Sequence, residues 1–392
     1  MISLLLVIIY LAFISLGLPD SLLGAAWPVM RVELDLPVSY AGIITMIISG
    51  GTILSSLVSD RMTKKLGTGI VTSISVLMTA GALFGFSVSN HMIMLCIFAV
   101  PYGLGAGAID AALNNYVALH FSSRHMNWLH CFWGIGAAVS PYIMSFALSS
   151  GAGWNNGYRY VSYIQLILSI ILFASLPLWK NRRLAESETA EKKPLGLIGT
   201  LKIDGVVFVL LIFFGYCAME STAGLWASSY LAQYRGVDTE TAAMFASLFY
   251  LGITFGRFLC GFVSDKIGDR RMIRIGVLTL TAGIIVIGLP VKEAWIAEAG
   301  LILTGLGCAP IYPSIIHSTP DNFGKENSQA IIGIQMASAY VGSTFMPPLF
   351  GLISQYISIG LYPLFLLIFA LLMLITSEWM KKRKKAKSAE LK

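Results

Sequence analysis

The chain has 392 residues, of which 56% are hydrophobic and only 12% charged, and its mean hydropathy is +0.76. Soluble domains carry about 25% charged residues, so this composition excludes a soluble globular protein and implies an all-α polytopic membrane protein. The net charge of +7 sits in short loops and in the tail, where membrane topology explains it, so no nucleic-acid partner is expected.

A span needs about 20 mostly apolar residues. Twelve such stretches occur, at 3–30, 39–59, 67–89, 91–119, 127–150, 157–179, 204–232, 240–264, 272–290, 295–317, 327–354 and 357–379. The first opens MISLLLVIIYLAF, without a basic n-region or an early small-residue cleavage site, and reads as a retained helix. It carries Phe13, Gly17, Asp20, Gly24 and Trp27 along one helical face. Pro19 removes a backbone donor and is expected to loosen the helix beside Asp20. Between spans two and three lies SSLVSDRMTKKLG, with Asp60 and Arg61.

Span four contains PYGLGAGAIDAALNNYVALH, from Pro101 to His120. Helical spacing puts Gly103, Gly107, Asp110 and Asn114 on one face, with Asn115 adjacent. The glycines admit close approach of another helix. A carboxylate at membrane depth costs roughly 2.5–3.5 kcal/mol on insertion scales, and such a residue is normally functional and faces a bundle interior or a wet cavity.

Span five begins Trp128-Leu129-His130-Cys131-Phe132-Trp133. His130 is either a proton relay or a hydrogen-bonded structural group. Trp133 is a candidate for the floor of a cavity, and Gln165 of span six is a weaker one. The charged segment Lys180 to Lys202 separates six spans from six. Span seven presents Tyr216, Cys217, Glu220, Ala223, Gly224 and Ala227 on one face. Glu220 reads as a second proton site, a substrate ligand or a partner for a buried hydroxyl. After span eight comes CGFVSDKIGDRR, with Asp265 and Lys266, and Arg257 lies upstream on the same helix. Tyr312 in span ten and Gln335 in span eleven are further cavity candidates.

Lys and Arg concentrate in the loops after even-numbered spans and in the tail, whereas the opposite side holds only Arg31, Arg159, Arg235 and Lys292. Both termini are therefore expected in the cytoplasm, with the basic tail against anionic lipid headgroups. The halves repeat. Asp60-Arg61 recurs as Asp265-Lys266 after 205 residues, the GLG of span four recurs at Gly305 after 202, and Asp20-Ser21 recurs as Glu220-Ser221 after 200. Three ordered pairs at nearly constant offset indicate duplication. The expected organisation is a six-helix bundle at 1–180, a cytoplasmic linker at 181–203, a second bundle at 204–380 and a basic tail at 381–392.

On these residues the chain resembles the major facilitator superfamily, over nearly its whole length. The family's loop pattern is Gly, three residues, Asp, Arg or Lys, one residue, Gly, then basic residues. The second copy follows it with Gly261, Asp265, Lys266, Gly268, Arg270 and Arg271. The first departs, with Ser56 and Thr63 in place of the glycines, but keeps Asp60, Arg61, Lys64 and Lys65. The resemblance implies two pseudo-symmetric bundles. It also implies a cytoplasmic gate in which Asp60, Arg61, Asp265 and Lys266 pair across them, with Arg257 able to join.

Within the superfamily the chain is most similar to the fucose permease branch of sugar/proton symporters, through Leu18-Pro19-Asp20 and Asp110 followed by Asn114-Asn115. In that branch an acid in span one and an acid in span four serve substrate recognition and proton coupling; here the second is Asp where Glu is usual. The resemblance implies proton coupling at Asp20 and Asp110, to which Glu220 is added from its mid-span position. Substrate contacts are expected at Trp27, Asn114, Asn115, His130, Trp133, Tyr312 and Gln335. Trp27 either stacks on the apolar face of a sugar ring or is an interfacial aromatic. The expected function is proton symport of a small polar solute, a sugar first, by rocking of the halves around a central cavity in the plasma membrane, by a monomer.

Two other readings stay open: a proton-coupled exporter of drugs or amphiphiles, which sixteen Met would suit, and a non-transporting nutrient sensor. No GxxxxGK[ST], H-E-x-x-H or G-x-S-x-G motif is present, so the chain is not read as an enzyme and no cofactor is expected. The five cysteines are odd in number and apolar in setting, without a C-x-x-C, so neither a disulfide framework nor a metal site is expected.

Overall fold

The computed structural model describes residues 4–37, 39–179, 196–237, 239–291 and 293–390. Among the described residues the regular structure is helical throughout, and twelve helical segments are long and apolar enough to cross a membrane. Each overlaps one expected span. The multi-pass membrane architecture follows, because hydrocarbon leaves every backbone group to be satisfied within the segment itself. Several helices outrun the apolar stretch that marks them. Span eleven, Lys325–Tyr356, has 32 residues, or about 48 Å at 1.5 Å per residue, against about 30 Å of hydrocarbon. Most of the expected linker lies outside the described residues, which resume with the short helix Gly196–Leu201. The last helix, Tyr362–Glu390, runs on into the basic tail.

Two spans are broken. Span one is two helices, Leu4–Asp20 and Leu22–Glu33, joined at Ser21. Span ten is Ala294–Cys308 followed by Ile311–His317. The first break is built on Pro19, which lacks the N–H that would bond the Ser15 carbonyl four residues back. Gln165 of span six fills that place: its Nε2 donates to the Ser15 carbonyl, and its Oε1 accepts from Ser15 Oγ at 3.1 Å and Thr79 Oγ1 at 3.4 Å. The same exchange occurs in span five. Pro141 leaves the Ala137 carbonyl without its helical donor, and Ser21 Oγ donates to that carbonyl at 2.5 Å while lying 2.9 Å from Ser140 Oγ. The loosening expected at Pro19 is thus a bend whose freed acceptor is already bonded.

Contacts divide the described residues into two units. One comprises 1–119, 128–196 and 325–337, the other 120–127, 197–324 and 338–392. In lipid there is little hydrophobic drive between helices, so close approach of small residues carries the packing. In the first unit a Cβ on Gly103 would run into the Ile48 carbonyl, and one on Gly107 into the Thr52 carbonyl, so spans two and four touch backbone to backbone. In the second unit Gly305 meets the Phe249 carbonyl in the same way, joining spans eight and ten. The duplicated GLG therefore makes the same contact in each unit. Spans one and five join likewise: Gly17 lies against the Trp133 carbonyl and Gly136 against that of Ile14.

Candidate functional site

In the first unit the break in span one delivers Asp20 to two aromatic donors. Trp133 Nε1 donates to Asp20 Oδ2 at 2.8 Å, and Tyr102 Oη donates to Oδ1 at 3.3 Å. Asp20 remains solvent-accessible, while Tyr102 is buried. The glycine contact between spans one and five fixes the Asp20–Trp133 approach, since both backbones are in touch one turn from the pair. Asp20 and Trp133, both candidates from sequence, are thus brought together. Tyr102 is not among the sequence candidates, although it stands two turns before Asp110 on the same span, next to Gly103.

Eight residues separate Tyr102 from Asp110, about 12 Å along the helix, so Asp20 and Asp110 lie at different depths. Asp110 is 4% exposed. Asn114 Nδ2 donates to Asp110 Oδ1 at 2.7 Å and to its carbonyl at 3.0 Å. The amide oxygen of Asn114 lies 3.0 Å from His130 Nε2. An amide oxygen only accepts, so His130 donates through Nε2, and a bonded line runs from His130 through Asn114 to Asp110. Phe13 packs edge-on against the imidazole at 5.4 Å.

Other expected contact residues sit elsewhere in this unit. Trp27 is 6% exposed on the second helix of span one. Asn115 Oδ1 accepts from Ser328 Oγ at 2.6 Å, and Gln335 is fully buried on the same stretch of span eleven. Gln165, the weakest candidate, serves the Pro19 bend.

The second unit has its own embedded charge cluster. Arg257 is 4% exposed, with Nη2 3.5 Å from Glu220 Oε1 and 3.4 Å from Tyr216 Oη. Tyr312 packs against the same tyrosine, its ring tilted at 4.6 Å from Phe213 and edge-on at 5.9 Å from Tyr216. Position in the sequence groups Arg257 with the loop charges, because it shares a helix with Asp265. Eight residues put about 12 Å between them, and Arg257 turns instead to Glu220 and Tyr216. A guanidinium inside a membrane protein requires such partners, because an unpaired charge there is costly.

The loop charges take different partners in the two copies. Asp60 pairs with Lys64 on its own helix, at 3.1 Å, while Arg61 is exposed. Asp265 instead meets the start of span five: Arg124 N–H donates to Oδ1 at 3.0 Å, Ser122 Oγ donates to Oδ2 at 3.1 Å, and Arg124 Nε lies 3.4 Å from Oδ2. Lys266 is exposed. No group of three or more His, Cys, Asp or Glu suited to a metal ion occurs among the described residues.

The sequence profile of the Major Facilitator Superfamily matches residues 9–245 and again 209–392. The hexuronate transporter of Bacillus subtilis (strain 168) is 25% identical over 318 residues, covering 77% of this chain and 74% of that protein. The 4-hydroxybenzoate transporter PcaK of Acinetobacter baylyi is 22% identical over 330 residues, covering 74% and 71%. A crystal structure of the E. coli fucose:proton symporter FucP, in a single-residue variant, superposes with a TM-score of 0.78 at 15% identity, over 96% of this chain and 98% of that one. Matched by the family profile in both halves, and with twelve membrane-length helical segments among its described residues, the chain belongs to the Major Facilitator Superfamily and is a secondary transporter, not an enzyme.

Proposed function

We propose that this transporter carries a small polar solute, a sugar in the first place, across the cell membrane together with protons, with both termini in the cytoplasm. The observation that carries this reading is the accessible Asp20 carboxylate, held by Trp133 Nε1 and Tyr102 Oη at the break in span one. A carboxylate offers about four acceptor sites, so two remain for solute hydroxyls. The adjacent indole offers an apolar face for the C–H side of a sugar ring. The names of the hexuronate transporter and the fucose:proton symporter support the same class, while that of PcaK supplies the contrasting one, an aromatic acid.

Proton coupling is assigned to Asp20, Asp110 and Glu220. Carrying a charged carboxylate through the membrane interior is costly, and a bound proton removes that charge. Asn114 ties the His130 ring to the Asp110 carboxylate by hydrogen bonds and so holds the two titratable groups in place. The solute fills the remaining hydrogen bonds, so that the site loaded with both proton and solute changes its side of access, a half-loaded site does not, and the emptied site returns to complete the cycle.

The test is uptake into liposomes by the purified protein, using labelled hexoses, hexuronates and 4-hydroxybenzoate with an internal pH dye. Sugar-dependent acidification of the lumen is expected. In Asp110→Asn, which fixes the neutral state, uphill accumulation is lost and exchange down a gradient remains. Uphill accumulation at the normal level in that variant removes Asp110 from coupling. Flux of the aromatic acid or of lipophilic cations with no sugar flux overturns the substrate class.

A further inference from the structure

His317 ends span ten, and its two ring nitrogens both face acceptors: Nδ1 lies 2.6 Å from Asp269 Oδ2 and Nε2 lies 3.0 Å from the Phe121 carbonyl. A neutral imidazole has one N–H. Both contacts are hydrogen bonds at once only in the doubly protonated ring, which donates twice. The same carboxylate takes Ser123 Oγ at 2.6 Å, and Asp265 takes the next backbone N–H, that of Arg124. Three elements thus converge on the short loop between spans four and five: the end of span eight through Asp265, the start of span nine through Asp269 and the end of span ten through His317. A further charged group near the ring is Asp321, on the helix Thr319–Phe323. On the loop itself, Arg124 and His125 lie by Asp265, and Arg270 of span nine is turned to Asn322 at 3.5 Å.

We propose that His317 is a proton-dependent latch: the imidazolium adds a tie between the loop 120–127 and Asp269, and loss of one ring proton breaks one of the two bonds and loosens the loop. The device rests on neither the substrate nor the coupling acids. Its sign is fixed by the hydrogen-bond inventory, since the loop is held more tightly at low pH and loosens as pH rises through the range in which histidine titrates.

The measurement is hydrogen exchange of the amides at 120–127 in the full chain in detergent, from about pH 5.5 to pH 8.5, spanning the histidine range. Each rate is normalised to the amides that open span six, at 153–157, which cancels the intrinsic pH dependence of exchange. Normalised protection of the wild-type loop is expected to fall about tenfold across this range, as one charge-assisted bond is lost. In His317→Gln, whose amide cannot gain a proton here, it is expected to stay level. A level wild-type profile, or an unaltered fall in the Gln variant, overturns the latch. Should His317→Gln fail to fold, Asp269→Asn keeps an acceptor without its charge: the midpoint of the fall must then move to lower pH, and an unmoved midpoint overturns the proposal.

Discussion

Asp60 and Asp265 stand at matching places in the two repeats, 205 residues apart, and end in different company. The difference comes from one neighbouring residue. Gly268 leaves span eight at φ 82°, ψ 146°, a conformation open to glycine and little else, so that helix stops at Ile267. The matching residue in the first copy is Thr63, which cannot turn the chain there. The helix runs on to Leu66 and leaves through Gly67, at φ 83°, ψ 153°. That extra turn places Lys64 four residues after Asp60, within reach of its carboxylate. Asp265 has no basic residue four places on in its own helix and bonds instead to the open N-terminus of span five, where it does the work of an N-cap. Whether a loop carboxylate is spent locally or reaches another segment thus turns on Gly against Thr three residues on.

The strongest way to break this contrast is Gly268→Ala. A methyl group there would meet nothing within 4 Å, so its cost is that of the backbone alone, about 1–3 kcal/mol. The thermal unfolding midpoint of the purified protein should fall clearly, and an unchanged midpoint would show that the helix end tolerates a different exit. Next comes Asp265→Ala, which removes the cap of span five. A loss of about 0.5–2 kcal/mol is expected, together with faster amide exchange at Arg124; if exchange there does not quicken, the carboxylate is not the cap. The smallest effect belongs to Lys64→Ala. Lys64 and Asp60 form an i,i+4 pair of a kind contributing about 0.3–0.5 kcal/mol. A midpoint shift as large as that of Asp265→Ala would erase the distinction between the copies.

Much of this was legible in the residues. Apolar stretches marked the spans because hydrocarbon imposes both length and composition. The repeated GLG marked helix contacts because only glycine lets a carbonyl approach so closely, as Gly103 and Gly305 show. Asp20, Asp110 and Glu220 stood out because charge is rare at that depth. What periodicity could not supply was the identity of partners on other spans. Tyr102, Asp269 and His317 gain their roles only when a particular neighbour faces them, and no spacing along one helix encodes that choice. Arg257 illustrates the converse: its neighbour in sequence is Asp265, whereas its neighbours in space are Glu220 and Tyr216.

Prolines in spanning helices are natural places to seek hinges, since each frees a carbonyl and relaxes the helix around it. Here the acceptors freed by Pro19 and Pro141 are occupied from outside their own helices: Gln165 holds the Ser15 carbonyl and Ser21 holds that of Ala137. Flexing at either proline would first have to strip a side-chain donor from its carbonyl within the packed interior. The bend that presents Asp20 is therefore a cast shape rather than a joint. Around it, the parts of spans one, five and six that these bonds join should travel as a single piece through the transport cycle, carrying the carboxylate and its indole together.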